Sequence, residues 1–280
     1  MHDLRGEAWR QERHRVGRFM ELFPQRHPII GVIHLPPLPG YPSSPGLGAV
    51  IEKALRDQVA LEAGGASGIL VENEEDRPHR VEARPETIAA MTRVARELVS
   101  AARRVPVGVE ILLNDPWASL AVAAMSGAVF VRTDYFVDPM ERPEHGGAMK
   151  IDPAGLLAYR DELRAHSVLI LADIQVKYAR LLEERSLGES ARLAAWHRAD
   201  AIIVTGSVTG EAPGALEIEA AKAGASGCPV LIGSGLDAAN AQALLRRADG
   251  AIVGTSLKTG DHVDPAKVGR LVAEACALDA

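Results

Sequence analysis

The chain has 280 residues and a formal net charge of −6, with 47% hydrophobic and 24% charged residues. This is a globular composition, and its negative balance argues against a nucleic-acid-binding surface. No apolar run approaches the roughly 20 residues a membrane-crossing helix needs, and the charged N-terminus does not read as a signal peptide. Cys228 and Cys276 match no metal-ligand spacing and read as reduced thiols of a cytoplasmic protein.

In chain order, Trp9, Val16, Met20 and Phe23 fall at roughly helical spacing with arginines on the other face. They predict a helical extension over residues 1–27 that caps the main domain or contacts a second copy. Membrane-surface attachment is the rival for such a basic amphipathic stretch. From residue 28 to 280 short apolar runs alternate with amphipathic stretches. Strands are expected near 29–33, 68–72, 106–112, 129–132, 168–173, 201–204, 230–233 and 250–254. Between them, stretches such as RPETIAAMTRVARELVSAARR carry apolar residues three and four apart, and NDPWASLAVAAMSGA opens on a capping residue and a proline. Asp115, just before Pro116, reads as a helix N-cap, with Asn114 as the alternative. Eight βα units without a composition break predict an α/β fold, a single (β/α)8 TIM barrel with an extra N-terminal helix. An open doubly wound sheet is the rival.

In such a barrel the turns after strands seven and eight lie side by side at the C-terminal face. Here they read Gly233-Ser234-Gly235 and Gly254-Thr255-Ser256. Glycines let backbone amides approach an anion, hydroxyls add donors, and the following helix N-terminus adds its dipole. Tight turns without a ligand are the simpler alternative.

Chemistry at this face must come from the ends of the strands. The carboxylates Glu72, Asp134 and Asp173 are the acid–base candidates, because burial at a barrel mouth raises a carboxyl pKa. Lys177 is placed beside them as a neighbouring cation or an anion ligand. His34, Asn73, Asn114, Arg132, Gln175 and Thr205 are the expected substrate-binding residues. No short-spaced motif marks a metal site, so no cofactor is expected. A divalent metal held by His34, Glu72, Glu110 and Asp173 is the remaining arrangement. The long connections after strands four and five read as lids or contacts between copies, with Gly146-Gly147 as a hinge or a turn.

The stretches GVIHLPPLPG, LRDQVALEAGGASGILVEN, PVGVEILLNDPWASLAVAAMSGAVFVR, ADIQVKYA, DAIIVTGSVTGEAP, PVLIGSGLDAAN and ADGAIVGTSLKTGDHVDP together resemble the BtpA/SgcQ family. The resemblance runs from Pro28 to the C-terminal helix and implies a barrel akin to the ribulose-phosphate-binding barrels, with the paired glycine turns as their phosphate site. One branch of that family is named for photosystem I biogenesis. Another sits among sugar-metabolism proteins and is described as a nucleosidase. The chain departs from the family pattern where a D-V-H-V-K-H stretch is replaced by Asp173-Ile174-Gln175-Val176-Lys177-Tyr178. Arg132-Thr133-Asp134 stands for Arg-Val-Asn, and Leu113 stands where an arginine often precedes Asn-Asp.

These observations point to an enzyme acting on a phosphorylated sugar or nucleotide, with isomerisation, aldol-type cleavage and glycosidic-bond cleavage all open. A non-catalytic assembly factor that keeps the barrel is the competing class, and a peripheral membrane protein is a third. The expected partner is a phosphorylated small molecule, with no nucleic acid, no transmembrane segment and self-association into a homo-oligomer.

Overall fold

The computed structural model describes residues 17–103 and 105–278. Eight parallel strands close into a barrel in sequence order: β1 (Ile29–His34), β2 (Gly68–Glu72), β3 (Val107–Glu110), β4 (Phe130–Thr133), β5 (Leu169–Ile174), β6 (Ala201–Val204), β7 (Val230–Ile232) and β8 (Gly250–Val253). Closure is made by β1 pairing with both β2 and β8. The open-sheet alternative is excluded by that ring.

The helices are α1 (Leu47–Ala63), α2 (Pro85–Ala101), α3 (Pro116–Ser126), α4 (Pro153–Glu162), α5 (Leu187–Trp196), α6 (Ala215–Gly224), α7 (Ala241–Leu245) and α8 (Pro265–Cys276). Three of them begin with the same device. Asp115, Asp152 and Asp264 each precede a proline, and each carboxylate accepts a backbone N–H of the first turn. Proline loses nothing at a position whose amide has no helical partner, and such a cap contributes about 1 kcal/mol. Asp115 thus caps α3 and also accepts the amide of Ala83.

Strand side chains alternate between the two faces of the sheet, and two buried clusters follow from that alternation. Ile29, Ile33, Ile69, Val71, Val109, Val131, Ile170 and Ile202 face outward and pack against the helices. Ile30, Val32, Leu70, Phe130, Leu171, Ile203, Leu231 and Ile252 fill the barrel interior.

Residues 17–22 are helical. Phe19 and Phe23 belong to the interior cluster, where Phe23 packs edge-on to Phe130 at 5.6 Å between centroids. A side chain at Gly68, the first residue of β2, would meet the Phe23 ring at 2.7 Å, so the pair closes the N-terminal end of the barrel. Met20, expected on the packing face, is instead 43% exposed, and Phe19 takes that place. Trp9 and Val16 lie outside the described residues.

The connections after β4 and β5 are structured. Met140–Arg142, Gly147–Ala148 and Arg180–Leu181 form a three-stranded antiparallel sheet. It sits on its own small core of Leu113, Tyr135, Met140, Met149 and Val176. Pro143–His145 form the 3-10 turn of its hairpin, Gly146 at positive φ closes that turn, and Gly147, also at positive φ, opens the returning strand opposite Arg142. No helix among the described residues is long and apolar enough to cross a membrane.

Candidate active site at the barrel mouth

The alternation that buries Ile30 and Val32 inside the barrel also turns His34 inward, two residues further on. The same count places Glu72 above Leu70, Arg132 above Phe130, Asp173 above Leu171 and Thr205 above Ile203. Glu110 reaches the same level from β3, in register with Glu72. On β7 and β8 that level holds Gly233 and Gly254. One side of the mouth is therefore crowded with charge and the other is open. A cavity of about 460 Å3 fills the open space, floored by Val32 and Ile252.

The charged side is organised around Arg132. Its Nε and Nη2 donate to Asp173 Oδ2 and Oδ1 at 2.8 and 2.9 Å. Its Nη1 lies 3.5 Å from Glu72 Oε1 and its Nε lies 3.7 Å from Glu110 Oε2. Burial disfavours charge on Glu110 and holds its carboxyl well above the usual range, against the pull of Arg132 and helped by the nearby Asp134 and Glu72. Burial also works against the Glu72 carboxylate, but Arg132, His34 and a hydrogen bond with Glu110 outweigh it and keep Glu72 ionised below the usual range.

His34 is pushed down to about 4, chiefly by burial, with Lys258 and Lys53 opposing the pull of Glu72. Lys258 Nζ sits on His34 Nδ1. With that nitrogen accepting, the ring proton is on Nε2, which faces Glu72 Oε2 at 3.7 Å. Asp134 is pushed up to about 6 by burial and by Asp173. Glu74, at the rim, is pushed up to about 7 by burial and by Glu72.

The two glycine turns are neighbours, since β7 and β8 pair directly and Ser256 Oγ donates to Leu236 O at 2.6 Å. Residues 233–237 and 254–256 line the cavity. The Gly233 amide is used by Val204 O. Among the described residues the amides of Ser234, Gly235, Leu236, Gly254, Thr255 and Ser256 make no such bond.

Two parts of the expected phosphate site are corrected. The Ser234 hydroxyl donates to Glu211 O and accepts from Gly206 N, and the Ser256 hydroxyl ties the turns together, so both stitch backbone instead of facing a ligand. No long helix begins at either turn: residues 255–257 form one 3-10 turn and α7 has five residues. Backbone amides, with the exposed Thr255, are what the site offers.

Glu72, Asp134, Lys177, His34 and Arg132 all line the cavity. Lys177 lies at the mouth, and among the described residues it makes no ion pair. The other expected residues lie elsewhere. Asp173 is sealed behind Arg132 with both oxygens engaged. Asn73 Oδ1 accepts from Leu112 N at 2.8 Å and its Nδ2 donates to Asp76, so it braces the β3 end. Asn114 Nδ2 donates to Lys150 O. Gln175 Nε2 donates to Arg185 O and Ser190 Oγ, away from the mouth. Thr205 Oγ1 accepts from Lys177 N.

Glu74, Arg77, His79, Arg142 and Tyr178 line the cavity from loops. Sequence reasoning missed them because no spacing reveals which loop folds over a mouth. The Tyr178 hydroxyl accepts from Thr209 N at 2.8 Å. Of the two replaced family histidines, only the position of Tyr178 faces the cavity. For the metal arrangement, no three His, Cys, Asp or Glu among the described residues are placed to hold an ion. The Arg132 guanidinium stands in the middle of that proposed ligand set, so the set does not fit a metal.

A protein of Archaeoglobus fulgidus is 39% identical over 244 residues, covering 87% of this chain and 96% of the relative. The photosystem I biogenesis protein BtpA of Synechocystis is 38% identical over 261 residues, covering 90% of this chain and 89% of the relative. Among solved structures, (S)-3-O-geranylgeranylglyceryl phosphate synthase from Thermoplasma acidophilum, in complex with sn-glycerol-1-phosphate, shares the fold. Its TM-score is 0.63 at 14% identity, over 93% of this chain and 97% of that one. The model of the BtpA family matches residues 25–277, and the chain belongs to that family.

Proposed function

We propose that the protein is an enzyme acting on a phosphorylated sugar or nucleotide. The phosphate binds the amides of the turns after β7 and β8, and acid–base chemistry takes place at the carboxyl groups across the cavity. One observation carries the reading: two tied glycine turns present unengaged amides to one side of a cavity whose other side holds a buried carboxyl and guanidinium cluster. Backbone amides in a concave turn favour a dianion, and Lys177 adds a cationic side chain at the same mouth. That the Thermoplasma barrel was solved with a glycerol phosphate supports the ligand class.

Arg132, held by Asp173, and the Nε2–H of His34 are donors for a developing oxyanion. Glu72 and Asp134 are carboxyl groups within reach of a bound sugar. The test is calorimetric titration with inorganic phosphate and with D-ribose 5-phosphate. Both are expected to bind, competing for one site, and failure of both to bind defeats the reading.

The name of the Synechocystis relative favours a second reading, a non-catalytic assembly role. A chain carrying Glu72→Gln and Lys177→Ala, folded but inactive, would still complement a deletion if that reading were correct.

A further inference from the structure

Glu72 and Glu110 stand side by side on β2 and β3, in register, and both side chains turn inward at the strand ends. They are 5% and 3% exposed, and both line the cavity. Both carboxyls pack on one guanidinium, with Arg132 Nη1 3.5 Å from Glu72 Oε1 and Arg132 Nε 3.7 Å from Glu110 Oε2; two like charges buried side by side disfavour double ionisation, so the pair holds one proton between them. Glu110 is the partner that carries it, since Glu72 has the closer guanidinium nitrogen and the histidine. Glu72 Oε1 is buried and accepts no hydrogen bond among the described residues. That oxygen lies 3.5 Å from Arg132 Nη1, and Glu72, whose side chain lines the cavity, is the base of the pair.

The distance from this base to the phosphate turns is short. A Cβ at Gly254 would lie 2.8 Å from His34 Nε2, and that nitrogen is 3.7 Å from Glu72 Oε2. A Cβ at Gly233 would lie 3.4 Å from Arg132 Nη2. A phosphate on the turn amides therefore sets the carbons nearest the ester over Glu72, with His34 and Arg132 beside them.

We propose that Glu72 and Glu110 are a one-proton acid–base pair that interconverts a phosphorylated α-hydroxy aldehyde and ketone, making the protein an aldose–ketose isomerase for a small sugar phosphate. This rests on the phosphate reading above. The Glu72 carboxylate takes the proton from the hydroxyl-bearing carbon, the C–H pair becomes the C=C bond, and the carbonyl pair moves onto oxygen. Arg132 and the His34 N–H hold that charge while Glu110 gives the oxygen its proton. In the second half the neighbouring hydroxyl returns a proton to Glu110, and Glu72 returns its proton to the former carbonyl carbon. Atoms and electrons balance with no co-reactant.

The charged groups facing the pair are His34 from β1, Arg132 and Asp134 from the end of β4, and Lys177 from beyond β5.

The experiment incubates the full chain in deuterium oxide with D-ribose 5-phosphate, D-ribulose 5-phosphate, D-glucose 6-phosphate and D-fructose 6-phosphate. Proton NMR follows the C–H next to the carbonyl. At least one probe is expected to exchange, and exchange is expected to fall by about 10²–10⁴-fold in Glu72→Gln and in Glu110→Gln. Inorganic phosphate should bind both variants as it binds the wild type.

An infrared band of a protonated carboxyl beyond those of Glu74 and Asp134 is expected in the wild type at neutral pH and should be missing from Glu110→Gln. This second readout needs no substrate. Phosphate binding without exchange of any probe, or a wild type without that band, overturns the acid–base pair and leaves the phosphate reading standing. Absence of phosphate binding overturns both.

Discussion

Arg132 and Asp173 are joined by two parallel hydrogen bonds of 2.8 and 2.9 Å between adjacent strands, both side chains buried. The geometry is the planar fork that guanidinium makes with carboxylate. It fixes the guanidinium that pairs with both Glu72 and Glu110, so a change at Asp173 acts on groups it never touches.

Replacing Asp173 with alanine leaves a buried guanidinium with its strongest partner gone. The expected loss is about 3–5 kcal/mol of folding stability, the usual penalty for breaking a buried pair from one side. Asp161→Ala, at an exposed ion pair with His166, should cost at most about 1 kcal/mol. Urea unfolding of the two variants reads the difference, and equal midpoints would contradict the role given to Asp173.

Gly235 has φ +65°, and a Cβ there would lie 2.1 Å from Ala212 N. Backbone cannot yield as a side chain tip can, so Gly235→Ala must displace the turn. Phosphate affinity is expected to fall by more than about tenfold, a loss of about 1.4 kcal/mol. Gly48→Ala, with nothing within 4 Å, should bind as the wild type does. Calorimetry with inorganic phosphate checks both, and unchanged affinity in Gly235→Ala would place the anion elsewhere.

His34 and Asp134 make opposite contributions across one pH window. His34 falls from 6.5 to about 4 on folding, so the folded chain binds fewer protons there and loses stability as pH drops through that range. Asp134 rises from 3.8 to about 6, so the folded chain binds more protons there and loses stability as pH rises through it. Relative to wild type, His34→Gln is expected to gain stability towards pH 4, and Asp134→Asn is expected to gain it above pH 6. Thermal midpoints from pH 4 to 8 test the signs. Two variants sloping the same way would contradict the assignment.

Phe23, just after the short helix of residues 17–22, is fully buried against Phe130 and Gly68, whereas Met20 within that helix is 43% exposed. Phe23→Ala should cost about 3–5 kcal/mol as a cavity in the barrel floor. Met20→Ala should stay within about 0.5 kcal/mol. Denaturant midpoints compare them, and the reverse order would mean that the helix packs through another face.

The architecture was legible because each strand is a short apolar run closed by a polar residue, and because Asp115-Pro116 announced a helix start, a device the structure repeats at Asp152 and Asp264. The mouth was legible for a related reason. Alternation along a strand puts His34, Glu72, Arg132 and Gly254 at one level once the barrel is assumed.

What could not be read was which polar group would engage which. Nothing in the sequence says that Asp173 turns to Arg132, or that Gln175 faces Ser190 behind the barrel. The hydroxyls of Ser234 and Ser256 look like anion ligands in sequence, yet they bond to backbone carbonyls. Tyr178 and Arg142 reach the cavity only because two long connections fold into a sheet, a pairing between segments about 40 residues apart that no local period signals.

The anion site is tested most directly by a crystal structure of the protein grown with D-ribose 5-phosphate. The account predicts the phosphate within hydrogen-bonding distance of the amides of Gly235, Thr255 and Ser256, with the sugar carbons lying towards Glu72 and Arg132. A ligand bound with its phosphate on the Arg77 and Arg142 side, or a mouth left empty at saturating sugar phosphate, would contradict it.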